Sequence, residues 1–216
     1  MRMTISQIWN GMRDAQFGVS ADGVPAGSIL FEMARLPLLW HARIQYRNQD
    51  ASMSPCRLAD AGKLMQKGGW PLPAYSFSTP VGNGTAVRTD AKILIRKAEG
   101  RYALSIGSER YLGYAAAFGR DGLRLPIYRD GTCVIELRKP SLVQNELHEF
   151  EVLLTDKAME RDEWAALLIS CYLWAACCRS KGGMSSGWRQ TETVTTDRFL
   201  LTMCRDGVLE QGETIC

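Results

Sequence analysis

Seven cysteines, two histidines, one Gly-x-Ser-x-Gly pattern and one cation-rich run are the residues of this 216-residue sequence that could do chemistry. Cys171, Cys177 and Cys178 come closest to a cluster. Two are adjacent and the third stands two helical turns from Cys178, which is neither the Cys-x-x-Cys nor the His-x-x-x-His spacing that arranges ligands around zinc. Their neighbours are apolar and no histidine is near, so they are expected to be small buried hydrophobes, not thiolate nucleophiles. Seven is also an odd number without framework spacing, as in a protein with reduced thiols and no structural disulfide. Gly183-Met184-Ser185-Ser186-Gly187 matches the hydrolase elbow by letter. That elbow needs a strand-to-helix turn with its histidine later in the chain, whereas His41 and His148 both come earlier. Gly82-Asn83-Gly84 lacks the third glycine and the following helix of a dinucleotide fingerprint. The motifs therefore indicate no catalytic residue, no metal ligand and no cofactor; an enzyme whose site is assembled from distant residues stays open.

The remaining candidate is electrostatic. In VRTDAKILIRKAEGR, an extended backbone would put Arg88, Asp90, Lys92, Leu94 and Arg96 on one face, with Arg101 just across a Glu99-Gly100 turn. Arg88, Lys92, Arg96 and Arg101 could then bind phosphate groups, from a lipid headgroup or a nucleic acid. The plainer meaning is a solvated strand face carrying edge-protecting charge. The whole chain has 26 basic against 23 acidic residues, a net charge of +3, which is too balanced for a specific nucleic-acid signal.

The elements that would position these groups are mostly strands. Asp22-Gly23, Asn83-Gly84, Glu99-Gly100, Asp121-Gly122, Asp130-Gly131 and Asp206-Gly207 are hairpin-turn signals, because glycine accepts positive φ without steric cost. The Asn83-Gly84-Thr85 sequon is read as such a turn and not as a glycosylation acceptor. Between the turns the period is two: Tyr102, Leu104 and Ile106, then Cys133, Ile135 and Leu137, then Phe150, Val152 and Leu154. Residues 15–20, 28–33 and 38–47 add further strands. Residues 48–80, rich in proline and glycine, read as the least regular region, with a short helix near 58–66.

One strong helix is expected at about 156–180, capped by Thr155-Asp156 and stopped by Gly182-Gly183. Its uncharged run, 164–178, would be about 22 Å long at 1.5 Å per residue, short of a bilayer core of about 30 Å. One face carries Trp164, Leu167, Leu168 and Cys171, and the other carries Ala166, Ile169 and Leu173. A helix apolar all round must be surrounded by protein. The expected fold is therefore α+β: mostly antiparallel strands in a closed or nearly closed barrel around one buried hydrophobic helix. Residues 1–183 would form the domain, and 184–216 a linker with a C-terminal hairpin. The amino-terminal residues carry no apolar run of signal-peptide length, which points to a cytoplasmic protein, with peripheral membrane attachment as a variant.

GRYALSIGSERYLGYAAAF, CVIELR and HEFEVLLTDKAMERDEWAALLISCYLWAACC resemble the tubby C-terminal-like superfamily, which includes tubby proteins, phospholipid scramblases and LURP-one-related proteins. The resemblance implies a barrel of about twelve strands threaded by the late helix, and a role in binding or scaffolding. It also implies that an anionic membrane surface is a candidate partner. The tubby headgroup-binding residues have no one-by-one counterparts here, and 38 residues follow Cys178 where the family helix lies near the carboxyl terminus. The alternative partner is a protein, docking on residues 48–80 or on the terminal hairpin.

Overall fold

Alternation makes the wall of this molecule: along Trp40–Tyr46, Trp40, Ala42, Ile44 and Tyr46 are buried while His41, Arg43 and Gln45 are exposed. The computed structural model describes residues 1–33, 40–56, 74–91, 99–114, 116–117, 123–139 and 147–178. Its strands are β1 (Arg2–Asn10), β2 (Asp14–Ala21), β3 (Val24–Met33), β4 (Trp40–Tyr46), β5 (Gln49–Pro55), β6 (Tyr75–Thr79) and β7 (Gly82–Ala91). They continue as β8 (Glu99–Ile106), β9 (Glu109–Tyr114), the two-residue β10 (Ala116–Ala117), β11 (Leu123–Arg129), β12 (Thr132–Lys139) and β13 (Glu149–Leu154). Every pairing is antiparallel, each strand except β9 pairs with the next in sequence, and two pairings close the ring, β13 on β1 and β9 on β11. Apart from β10, twelve strands form a closed barrel with no free edge.

Inside the barrel runs α1 (Glu160–Tyr172), continued by a π-helical segment (Leu173–Cys178). Every residue from Trp164 to Trp174 is buried, on all sides of the helix. Trp174 meets Phe31 at a ring distance of 4.2 Å, Trp40 at 5.1 Å and Phe17 at 5.5 Å, and Trp164 meets Tyr46 edge-on at 5.7 Å. The one hydroxyl in this stretch outside the tyrosine, Ser170 Oγ, donates to the Ala166 carbonyl at 2.8 Å, so burial leaves it satisfied. Cys171 lies in the same core, where desolvation pushes its thiol well above the usual range. No helix among the described residues is long and apolar enough to cross a membrane.

The sequence places several elements differently. The helix begins at Glu160 rather than 156, because the Asp162 carboxylate accepts the Met159 amide at 2.7 Å and fixes the first turn there. Asn83-Gly84 is not a turn but part of β7. The chain reverses at 80–81, and glycine is needed at 84 because a Cβ there would collide with the Ser105 carbonyl of β8. Glu99-Gly100 is not a turn either, since both pair with β7, opposite Ala91 and Asp90. The irregular reading of 48–80 gives way at both ends to β5 and β6, while the helix expected near 58–66 lies outside the described residues. Asp121-Gly122, Asp206-Gly207 and the segment 184–216 lie outside them as well.

Candidate functional site at the open end of the barrel

An up-and-down barrel sorts its connections by parity, and here the two ends differ. At one end lie five two-residue turns, 22–23, 47–48, 80–81, 107–108 and 130–131, and the short link 155–159 into α1. Asp22-Gly23, Arg47-Asn48 and Asp130-Gly131 all have positive φ at both positions, the geometry that matches the twist of a two-residue hairpin. At the other end lie 11–13 and the strand ends joined by 34–39, 56–74, 92–98, 115–122 and 140–148, and the helix runs toward it. We call the first the turn end and the second the open end.

The turn end is closed by charge. Asp162, fully buried, accepts Arg129 Nη1 on both oxygens at 2.8 and 3.0 Å, the Tyr111 hydroxyl at 2.9 Å and the Met159 amide. Glu163 accepts the Tyr46 hydroxyl at 2.6 Å and pairs with Arg47 at 3.2 Å; Arg161 reaches Glu109 at 2.9 Å. Three consecutive helix residues thus tie the start of α1 to different strands or turns of the barrel. Burial, then the neighbouring carboxylate, raises the phenol of both Tyr46 and Tyr111 well above the ordinary range. These groups have their hydrogen bonds met internally and form a structural lock rather than a reactive site.

Val24 and Met159 are exposed at the turn end too, but the open end exposes three apolar side chains on one tip. Ile8, Trp9 and Met12, at the β1–β2 tip, are 62%, 53% and 86% exposed. The register slips between Gln7 and Trp9, so Ile8 is the extra residue of a bulge, which re-aims the strand. Gln7 holds that bulge from inside: it is buried, its Nε2 donates to the Trp9 carbonyl at 3.1 Å, and its Oε1 accepts the His148 amide at 3.1 Å. Beyond the bulge, Trp9 Nε1 donates to Asp14 Oδ2 at 3.2 Å, and the Gly11 amide donates to the Asp14 carbonyl at 2.9 Å. A Cβ at Gly11 would collide with the Asp14 carboxylate and crowd the indole nitrogen. The base of the tip is tied to β3 by the Met33 amide, which donates to the Arg13 carbonyl at 2.9 Å. Sequence reasoning passed over this tip, although its Trp-Asn-Gly-Met run was a visible turn signal between apolar residues.

Of the four nominated cations, Arg88 stands in β7 opposite Tyr102, and Arg101 stands in β8 opposite Thr89. Both lie toward the open end of their strands. Lys92 and Arg96 belong to the 92–98 connection and lie outside the described residues. The composition of the connections separates the two ends. Those at the open end contain nine Lys or Arg against three Asp or Glu, and those at the turn end two against three.

On the outer wall, an open groove of about 600 Å³ crosses β3 to β6, lined by Ser28, Leu30, Arg43, Gln45, Asp50 and Ser52 among others. Nearby, His41 Nδ1 is 3.1 Å from Ser54 Oγ, on neighbouring strands of the exposed face. The adjacent Glu32 carboxylate is held by Arg43 at 2.8 Å. Among the described residues, no group of three or more His, Cys, Asp or Glu is placed to hold a metal ion. Comparison of the chain with protein-family models, curated proteins and solved structures finds no match.

Proposed function

We propose that this protein is a binding or scaffold domain of the tubby-like kind, recruited from the cytoplasm to anionic membrane surfaces through its open end. The observation that carries this reading is the sequence composition of the connections: those that join strands at the open end hold nine Lys or Arg against three Asp or Glu, and those at the turn end two against three. Headgroup phosphates are the ligand chemistry, and Arg88, Lys92, Arg96 and Arg101 are the residues nominated to meet them. Each cation close to a membrane contributes about 1 kcal/mol, and the attraction falls off within a Debye length. Replacing Lys92 and Arg96 together with Glu should therefore weaken binding by roughly thirtyfold or more.

Sedimentation with phosphatidylcholine vesicles, with and without an anionic phospholipid, tests this. Binding to anionic vesicles that weakens between low and moderate salt is expected. Equal lack of binding to both vesicle types would sink the lipid reading. The groove on β3 to β6 favours a second reading, a protein-interaction module without lipid binding. A photo-reactive side chain at Ser52 that crosslinks one discrete partner, in a protein indifferent to vesicles, would favour it.

A further inference from the structure

We infer that the β1–β2 tip is a preorganised wedge that enters the boundary between headgroups and acyl chains of a bilayer, with Met12 at its apex and the Trp9 indole and Ile8 behind it. This rests on the membrane reading but uses different residues and a different force. Exposed apolar side chains by themselves are ordinary; what is unusual is how this group is built. A flexible tip would fold Trp9 back onto the wall, since an indole gains by burial. Here Asp14 holds the indole through its N–H, Gly11 leaves the space that arrangement needs, and Gln7 spends a buried amide on keeping the bulge that turns Ile8 outward. An indole whose ring is apolar and whose N–H is polar suits the membrane interface, and Arg13, exposed beside Met12, can keep its charged head among the phosphates.

Size and charge decide between occupants. Three side chains on a hairpin tip present a few hundred Å², in the range of an ordinary surface patch. A stable protein interface needs about 800 Å² on each partner. A bilayer makes no such demand, because it encloses a narrow tip from all sides. Arg13 is exposed in the tip itself, and the segments that join strands at this end are basic in sequence, so an anionic surface would attract this end of the molecule.

The test uses the full chain with anionic vesicles containing acyl-brominated phosphatidylcholine. The expected result, in a chain that also carries Trp70→Phe and Trp188→Phe, is quenching of tryptophan emission that largely disappears on adding Trp9→Phe, because the remaining Trp40, Trp164 and Trp174 are buried in the barrel. The Ile8→Asp/Met12→Asp double variant should bind anionic vesicles at least tenfold more weakly, with an unchanged melting temperature. If the chain binds anionic vesicles but Trp9 is not quenched and the double variant binds equally well, the wedge is overturned and the headgroup reading stands. Binding to neutral and anionic vesicles alike, lost in the double variant but not in Lys92→Glu/Arg96→Glu, would support the wedge while removing the headgroup reading. A concentration-dependent dimer dissociated by Ile8→Asp/Met12→Asp would overturn the wedge in favour of contact between copies.

Discussion

The two ends of the barrel solve opposite problems. At the turn end the chain reverses in two residues five times, and the first turn of α1 is tied to the wall by Asp162, Glu163 and Arg161. At the open end the connections run from three to nineteen residues, and the β1–β2 tip holds Ile8, Trp9 and Met12 in solvent. The turn end carries a buried ionic lock, and the described tip of the open end carries exposed apolar side chains. That division is common in folds whose loops work while the scaffold holds. In this chain it follows the direction of the helix: α1 starts among the buried charges of the turn end and runs toward the open end.

The largest effect should come from opening the lock. Arg129→Met leaves a fully buried Asp162 carboxylate without its cation, and breaking a buried pair in this way costs about 3–5 kcal/mol. Urea unfolding should show that loss, and adding Asp162→Asn should recover part of it, since the remaining group is then neutral. An unchanged midpoint in the single variant would mean that the two ends are not energetically different.

Next is Tyr46→Phe, which removes one hydrogen bond to Glu163 but leaves Arg47 in place, and should cost about 1.5–3 kcal/mol in the same assay. The phenols offer a pH test of the same lock. Because folding raises the pKa of Tyr46 and Tyr111, the folded chain retains protons that the unfolded chain loses above about pH 10. The stability they contribute is complete below that pH and declines as pH rises beyond it. Absorbance at 295 nm should show at least two of the seven tyrosines, Tyr46 and Tyr111 among them, ionising only with unfolding.

The smallest effect on stability is expected at the open end. Trp9→Ala should change the unfolding free energy by no more than about 0.5 kcal/mol, as for other exposed positions. If it cost as much as Tyr46→Phe, the tip would be part of the scaffold and the contrast between the ends would fail. Gly11→Ala sharpens this: the new Cβ must displace Asp14, so amide exchange should quicken at the tip while the barrel stays protected.

Much of the architecture could be read from the residues. The helix run from Trp164 to Trp174 is apolar on every side, and that circumference required an enclosing wall, which the closed barrel supplies. Strands with strict alternation, such as Tyr102–Leu104–Ile106 and Phe150–Val152–Leu154, were legible for the same reason. β1 was missed, as were β5 and β6 within the region rich in proline and glycine, and Arg47-Asn48 was overlooked as a turn. Asn83-Gly84 and Glu99-Gly100 misled in the other direction. A glycine needed for close strand approach looks the same in sequence as one needed for positive φ.

What the sequence determined by itself is local and periodic: which segments bury one face, which helix buries all faces, and that this helix is too short to span a bilayer. The tertiary structure alone decided which end of the barrel each connection reaches. In an antiparallel ring every strand reverses direction, so overlooking one strand reassigns every later loop to the opposite end. Only closure of the barrel could show that Asp162 meets Arg129 and that the buried Gln7 side chain meets the His148 amide. Those pairings join residues far apart in the chain, and no local propensity encodes them.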